Sequence, residues 1–335
     1  MILRGIVERK LLGTVFDVVA IADLAAAGNL AYLLNYDSSR GPFNGTVTAL
    51  APNLNDGGLG QLCINGCNIP VIQGSDPSVM PWKSLGAQVV IESSGQYTRG
   101  RLARGHIDAG ASKVLVTAIA DDVDHTIVIG ANDSSYSGDT HHVVSNASCT
   151  TNCLAPLVHV LGATGIGVDE GFLTTVHSYT SSQCMVDGIS KRSLRAGRAA
   201  GVNIIPCVTG AVSAVGLVCP EVKGKIAGMA FRVPVSTVSL IDFTFRTRKA
   251  SSYLEICAAI KEATNTRLRN IIRYTEDEIV SSDVVNDGHS AVFDASAGLE
   301  INDRFFKIIA WYDNEWGYSN RCIDLLQKMT SASVP

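Results

Sequence analysis

The sequence predicts an α/β protein in two parts: a doubly wound parallel sheet first, then an α+β domain with a mixed, largely antiparallel sheet. Three observations carry this. The chain has 335 residues, and at about 150 residues per domain that is two hydrophobic cores rather than one. Before Cys149, short β-branched runs alternate with helical stretches, which is the order a doubly wound sheet requires. After Cys149, strands follow strands. The predicted division is 1–147, 148–314 and a closing segment 315–335.

Ile2, Leu3, Ile6, Val7 and Leu11 fall at helical spacing and predict a helix over Ile2–Leu12. FDVVAIAD, from Phe16, is a short β-branched run ending in an acid, and AQVVIESSG, SKVLVTA and HTIVIGAN repeat the type. NLAYLLNYD and YTRGRLARGHIDAG lie between them as helices, while Ala51 to Gly74, rich in Gly and Asn, reads as short antiparallel strands. CTTNCLAPLVHVLGATG is helical and leads into the strand GFLTTVHSYT, and a polar segment, SSQCMVDGISKRSLRAGRAAG, follows with no apolar period. Strands come next in KIAGMAFRV, TVSLIDFTF, SAVFDA and FFKIIAWY, with helices in SSYLEICAAIKEAT and YSNRCIDLLQKM.

Composition narrows the partners. With 46% hydrophobic residues, 17% charged residues and a formal charge of -4, nothing suggests a nucleic-acid or membrane surface. The nine cysteines are an odd number and most sit singly in apolar segments, so a reducing compartment is expected rather than a disulfide framework. Cys63 and Cys67 have no second Cys/His pair at zinc-site spacing, and no metal is expected. Asp17 and Asp23 interrupt the most hydrophobic early segment, and the charged start MILRGIVERK lacks a secretory pattern; a cytoplasmic protein is expected.

The chemistry concentrates in SNASCTTNC, Ser145 to Cys153. Ser148 suits a helix N-cap, which places Cys149 in the first turn, where unpaired N–H groups and the helix dipole favour a thiolate and lower the thiol pKa. A disulfide to Cys153, one turn away, does not fit the geometry. Cys149 is then either a nucleophile or a small helix residue. His177, in TTVHSYTSSQ, precedes a patch of hydroxyls and reads as a base for that nucleophile or as a half-buried strand histidine. Arg232 interrupts the apolar strand GMAFRVPV, which calls for a pairing partner or a bound anion. Thr209 and Gly210 in PCVTGAV suit a phosphate cradle or a plain turn.

SNASCTTNCLAP, HSYTSSQ, RAGRAAGVNIIP, TGA, GMAFRVP and WYDNEWGYSNR, in this order and spacing, resemble the phosphorylating glyceraldehyde-3-phosphate dehydrogenase family from about Ile2 to Met329. The resemblance implies a Rossmann-type dinucleotide-binding domain over 1–147, a catalytic domain over 148–314, and a C-terminal helix in 315–335 returning to the first domain. It implies that Cys149 attacks the aldehyde, that His177 is the general base during hydride transfer, and that inorganic phosphate cleaves the resulting thioester to 1,3-bisphosphoglycerate. Thr180 and Arg232 would hold the substrate phosphate, and Ser148, Thr150, Thr209 and Gly210 the attacking one. Arg195 and Arg198, counted with the phosphate-binding set, lie in the polar segment that in this family lines the neighbouring subunit's cofactor site. The implied cofactor is NAD, with Asp23 on the adenosine ribose. Ser94, Gly95, Thr117 and Tyr318 contact the rest of the dinucleotide, and Asn314 bonds the nicotinamide carboxamide. A homotetramer is implied as well.

The match has departures. The family begins with a strand and a glycine loop, GINGFGRIGR, which cradles the pyrophosphate; here Met1 stands where that loop should be ending, and no glycine-rich stretch, Gly57–Gly60 included, replaces it. Strands flanking that first strand are expected to be left with open edges. Ser75, Ile119 and Ile189 replace an arginine and two prolines of the family pattern. Two alternatives follow: a dehydrogenase of another phosphorylated aldehyde such as erythrose 4-phosphate, or a pseudoenzyme with impaired NAD binding that serves as an assembly partner.

Overall fold

The structure, a computed structural model, describes residues 1–52 and 58–331; Gly57 lies outside them. The chain divides into two compact units, Met1–His125 with Ser137–Ser145 and Leu326–Pro335, and Thr126–Tyr136 with Asn146–Leu325.

In the first unit the opening helix is Ile2–Glu8, shorter than the expected Ile2–Leu12. Lys10 turns left-handed at φ 58°, the Lys10 N–H donates to the Val7 carbonyl and the Leu11 N–H donates to the Ile6 carbonyl. That pair of bonds closes a helix C-terminus and carries Leu11 back over Ile6, so its apolar side chain keeps the helical spacing without being helical. Gln61–Ile64 and Cys67–Gln73 form the antiparallel hairpin expected in the Gly/Asn-rich stretch. Its two-residue turn is Asn65-Gly66, both at positive φ (49° and 87°), as the twist of a tight hairpin demands.

The parallel strands of this unit form two separate sheets. FDVVAIAD contributes only Ile21–Asp23, paired in parallel with Cys67–Gln73, while Val89–Glu92 pairs in parallel with Lys113–Val116. Among the described residues neither Ile21–Asp23 nor Val89–Glu92 has a second ladder, and both line one cleft of about 1200 Å³. A strand held on one side only is easily cut short, which accounts for its three residues where eight were expected. Two other predictions shorten as well. HTIVIGAN gives strand only at His125–Thr126, because Asn132 Oδ1 accepts from the Val128 N–H and Asn132 Nδ2 donates to the Thr126 carbonyl, folding the rest into a turn. YTRGRLARGHIDAG gives two single-turn helices, Gly100–Ala103 and Gly105–Asp108.

The second unit is built on a seven-stranded mixed sheet. Its order is Ile205–Cys207, Ile226–Val233, Val168–Ser178, Ser239–Thr247, Phe305–Tyr312, Ala291–Asn302, Ile272–Thr275. Ser239–Thr247 alternates buried and half-buried positions along its whole length, the period-two signature of a strand with one face in the core. Phe243 and Phe245 from that face, Phe306 from the adjoining Phe305–Tyr312, and Leu154 and Leu157 from the helix Cys149–Ala163 are fully buried. The helix Tyr253–Asn265 starts at a reciprocal cap: Ser252 Oγ accepts from the Glu255 N–H, and the Glu255 carboxylate accepts from the Ser252 N–H.

Candidate active site

Cys149 opens the helix Cys149–Ala163, and Ser148 is its N-cap, its Oγ accepting from the Thr151 N–H at 3.1 Å. The turn before the helix is tightly held. Ala147 sits fully buried at φ 54°, a left-handed conformation that a non-glycine residue rarely keeps without surrounding restraint. The restraints are visible: Tyr318 Oη donates to the Ala147 carbonyl at 3.0 Å, Asn152 Nδ2 to the Asn146 carbonyl at 2.9 Å, and Asn146 Nδ2 to the Ile127 carbonyl at 2.8 Å.

His177 and Arg232 are brought together by strand register. Val168–Ser178 and Ile226–Val233 pair in parallel with His177 directly opposite Arg232, so both side chains leave the same face of the sheet. Cys149 Sγ lies 3.5 Å from His177 Nε2. On the other side of the ring, Arg232 Nη1 lies 2.6 Å from His177 Nδ1 and 3.0 Å from the Ser178 carbonyl oxygen, and Nδ1 is itself 2.8 Å from that carbonyl.

These surroundings set the protonation states. Burial, then the Arg232 charge, depress the His177 pKa from 6.5 to about 3 against the opposing pull of the Ser178 carbonyl, so the ring is neutral near pH 7. Cys149 corrects the expectation from the helix N-terminus. Part of its surface is open, but burial raises the thiol pKa and outweighs the lowering by Arg232 and by the Thr150 hydrogen bonds. A buried thiol with a neutral imidazole beside it starts as a thiol and needs a proton acceptor to become a nucleophile.

The other expected residues are held mainly by local contacts. The Thr150 hydroxyl is buried and meets Tyr312 Oη at 2.8 Å, and Tyr312 Oη also meets Thr175 Oγ1 at 2.9 Å. Tyr312, whose ring stands edge-on to His177 with centroids 5.9 Å apart, was not singled out in the sequence; nothing in FFKIIAWY marks its hydroxyl as different from a core tyrosine's. Thr180 is tied into its own turn through Ser182 and Gln183. Thr209 Oγ1 accepts from the Ala211 N–H, and Gly210 caps the helix Ala211–Val218. Arg195 opens a short 3₁₀ turn, and Arg198 pairs with Asp187 at 3.0 Å on the surface, so no described contact brings either to Cys149.

Asn314 Oδ1 accepts from both Ser178 Oγ and Ser239 Oγ at 3.0 Å, which fixes the side chain and turns its amide nitrogen away from them. Tyr318 spends its hydroxyl on Ala147, so it holds the Cys149 turn. In the first unit, Asp23 ends its strand, accepts from the Ala25 N–H and lines the cleft together with Ser94. Gly95 stands at φ 71°, where a side chain would be strained. Thr117 donates through its N–H and hydroxyl to the Glu92 carbonyl. A chain of buried groups supports this wall: Trp82 Nε1 donates to His106 Nδ1 at 2.9 Å, His106 Nε2 meets Glu92 Oε2 at 3.0 Å, and Glu92 Oε1 accepts from the Ser94 N–H at 2.8 Å. Burial pushes the Glu92 pKa up, but the His106 and Ser94 bonds prevail and hold it low. An acid at a strand end and a glycine turn beside one cleft suit the ribose and phosphates of a dinucleotide.

Known proteins resemble this chain over most of its length. The family model described as glyceraldehyde 3-phosphate dehydrogenase, C-terminal domain, matches residues 148–314, and the one described as its NAD binding domain matches residues 1–100. Glyceraldehyde-3-phosphate dehydrogenase 1 of Trichormus variabilis is 49% identical over 315 residues, covering 93% of this chain and 89% of the relative. The Kluyveromyces lactis protein of the same name is 46% identical over 328 residues, covering 98% and 95%. Glyceraldehyde-3-phosphate dehydrogenase of Chlamydia muridarum is 46% identical over 327 residues, covering 98% and 94%. An NAD-dependent oxidoreductase, the chain belongs to the glyceraldehyde 3-phosphate dehydrogenase family.

Proposed function

We propose that this chain oxidises glyceraldehyde 3-phosphate to 1,3-bisphosphoglycerate through a thioester on Cys149, as a cytoplasmic homotetramer of glycolysis. The observation that carries the reading is the 3.5 Å approach of Cys149 Sγ to His177 Nε2 at a helix N-terminus, with Arg232 behind the ring.

The thiol gives its proton to His177 Nε2 as Sγ forms a bond to the aldehyde carbon, and the ring returns a proton to the new alkoxide, giving a hemithioacetal. His177 then takes the hydroxyl proton as the C–H bond breaks, which leaves a thioester. NAD, when bound, supplies the acceptor for the hydride. Asp23, Ser94, Gly95, Thr117, Asn314 and Tyr318 are the residues that would hold it. Phosphate attacks the thioester, the S–C bond breaks, and the sulfur recovers its proton from His177. Arg232 and Thr180 anchor the substrate phosphate, because a guanidinium fork pairs with phosphate oxygens, and Ser148, Thr150, Thr209 and Gly210 receive the attacking phosphate.

The test is NADH formation from glyceraldehyde 3-phosphate with and without inorganic phosphate. Steady turnover should require phosphate. His177→Asn should lower turnover by about two to four orders of magnitude, the usual contribution of a positioned base, and Cys149→Ser should abolish it. Equal turnover without phosphate, or with erythrose 4-phosphate as the better substrate, would redirect the assignment.

A further inference from the structure

Away from the thiol site, a line of polar contacts runs along the wall of the first unit's cleft. Trp82, Glu92 and His106 are all buried, and with Ser94 and Gln96 they line that cleft. An indole N–H only donates, so the 2.9 Å contact of Trp82 Nε1 with His106 Nδ1 needs a bare lone pair on Nδ1. The proton of the neutral ring therefore sits on Nε2, which donates to Glu92 Oε2 at 3.0 Å. A second ring proton does not fit, because on Nδ1 it would face the indole proton. The other carboxylate oxygen accepts from the Ser94 N–H at 2.8 Å and from the Ser94 hydroxyl at 2.5 Å. Ser94 Oγ accepts in turn from the Gln96 N–H at 3.1 Å. From both ends, every proton in the line points toward Glu92.

We infer that Glu92 is a positioning residue for the dinucleotide: its carboxylate, locked in one orientation by His106 and Trp82, holds the turn at 94–96 in the shape the cofactor meets. The strand Val89–Glu92 has a ladder on one side only, so its end needs another hold. The Glu92 carbonyl is tied to Thr117, and the side chain adds a second tether, to the helices Trp82–Leu85 and Gly105–Asp108. Trp82 is itself fixed by packing with Met80, Ala87, Val90 and Ala111. Gly95, left-handed at φ 71°, stands between two residues that this line restrains. The Ser94 hydroxyl gives its proton to Glu92 and has none left for a ligand, so the turn presents a fixed shape rather than a Ser94 donor. Only a carboxylate serves at position 92. An amide of the same shape would set an N–H against either Ser94 or His106 Nε2–H, and His106 could not answer by moving its proton to Nδ1, which must stay bare for Trp82.

The inference rests on the reading of the cleft as the dinucleotide site, and its test needs no turnover. In the full chain, NAD affinity is measured by calorimetry, stability by urea unfolding, and the exchange of the Ser94 and Gln96 amides by NMR without NAD. Glu92→Gln should weaken NAD binding by about ten- to a hundred-fold, the equivalent of one lost charge-assisted hydrogen bond, and both amides should exchange faster. Adding Trp82→Phe to Glu92→Gln removes the indole donor and frees His106 to carry its proton on Nδ1. Nε2 can then accept from the new amide, so the double variant should regain part of the lost affinity. A merely structural role would not give this recovery. A Glu92→Gln protein with a lowered urea midpoint but native NAD affinity and native amide exchange, or a double variant that binds no better than Glu92→Gln, would overturn the inference. A native chain that binds no NAD would instead refute the reading of the cleft, and the two amides would still decide whether Glu92 holds the turn.

Discussion

His177 ties the active site to the pH dependence of the fold. Its pKa is 6.5 as an ordinary histidine and about 3 in the folded site. Between those values the unfolded chain binds more protons than the folded one, so stability rises with pH and is lost as pH falls through that window. Urea unfolding of the native chain should therefore weaken steeply from about pH 6.5 toward 3, and His177→Asn should flatten part of that slope. Parallel slopes for the two proteins would mean that the His177 ring titrates normally and that Arg232 does not press on it. The same residue shows what sequence could and could not convey. A histidine before a run of hydroxyls marked the position, but the contact with Arg232, 55 residues away, is made by parallel strand register.

At the scale of elements, one buried hydroxyl joins a helix to two strands. Tyr312 Oη, on Phe305–Tyr312, bonds Thr150 on the Cys149 helix and Thr175 on Val168–Ser178. Tyr312→Phe keeps the ring and its packing but leaves two buried hydroxyls short of a partner, at a cost of about 1–3 kcal/mol. Urea midpoints should fall accordingly, with a loss of turnover beyond the stability effect because the Cys149 helix loses its tie. A change within experimental error would show that water replaces the phenol. Element types in the second unit were legible because each strand has neighbours that enforce its alternation, as in Ser239–Thr247. Ile205–Cys207, Ile272–Thr275 and the helix Ala211–Val218 were not, because they are short and take their form from the elements beside them. The lowering of the Cys149 pKa expected from its helix position failed for a related reason: the dipole is a local property, whereas burial belongs to the assembled unit.

At the scale of the molecule, the first unit carries two sheet edges on one cleft, and exchange rates should reveal them. Amides of Ile21–Asp23 and Val89–Glu92, each with a ladder on one side, should exchange faster than those of Lys113–Val116, which is paired on both. Equal protection in all three strands would mean that the edges are closed in solution. The shortening of FDVVAIAD to three residues needed the ladder map. In the proposed reaction Cys149 alone carries the acyl group. Intact and peptide mass spectrometry after incubation with glyceraldehyde 3-phosphate and NAD, with phosphate left out, tests it most directly. One acyl adduct per chain is expected, on Cys149, disappearing when phosphate is added. An adduct on Cys63 or Cys322 with Cys149 unmodified, or NADH formation with no adduct at any cysteine, would contradict it.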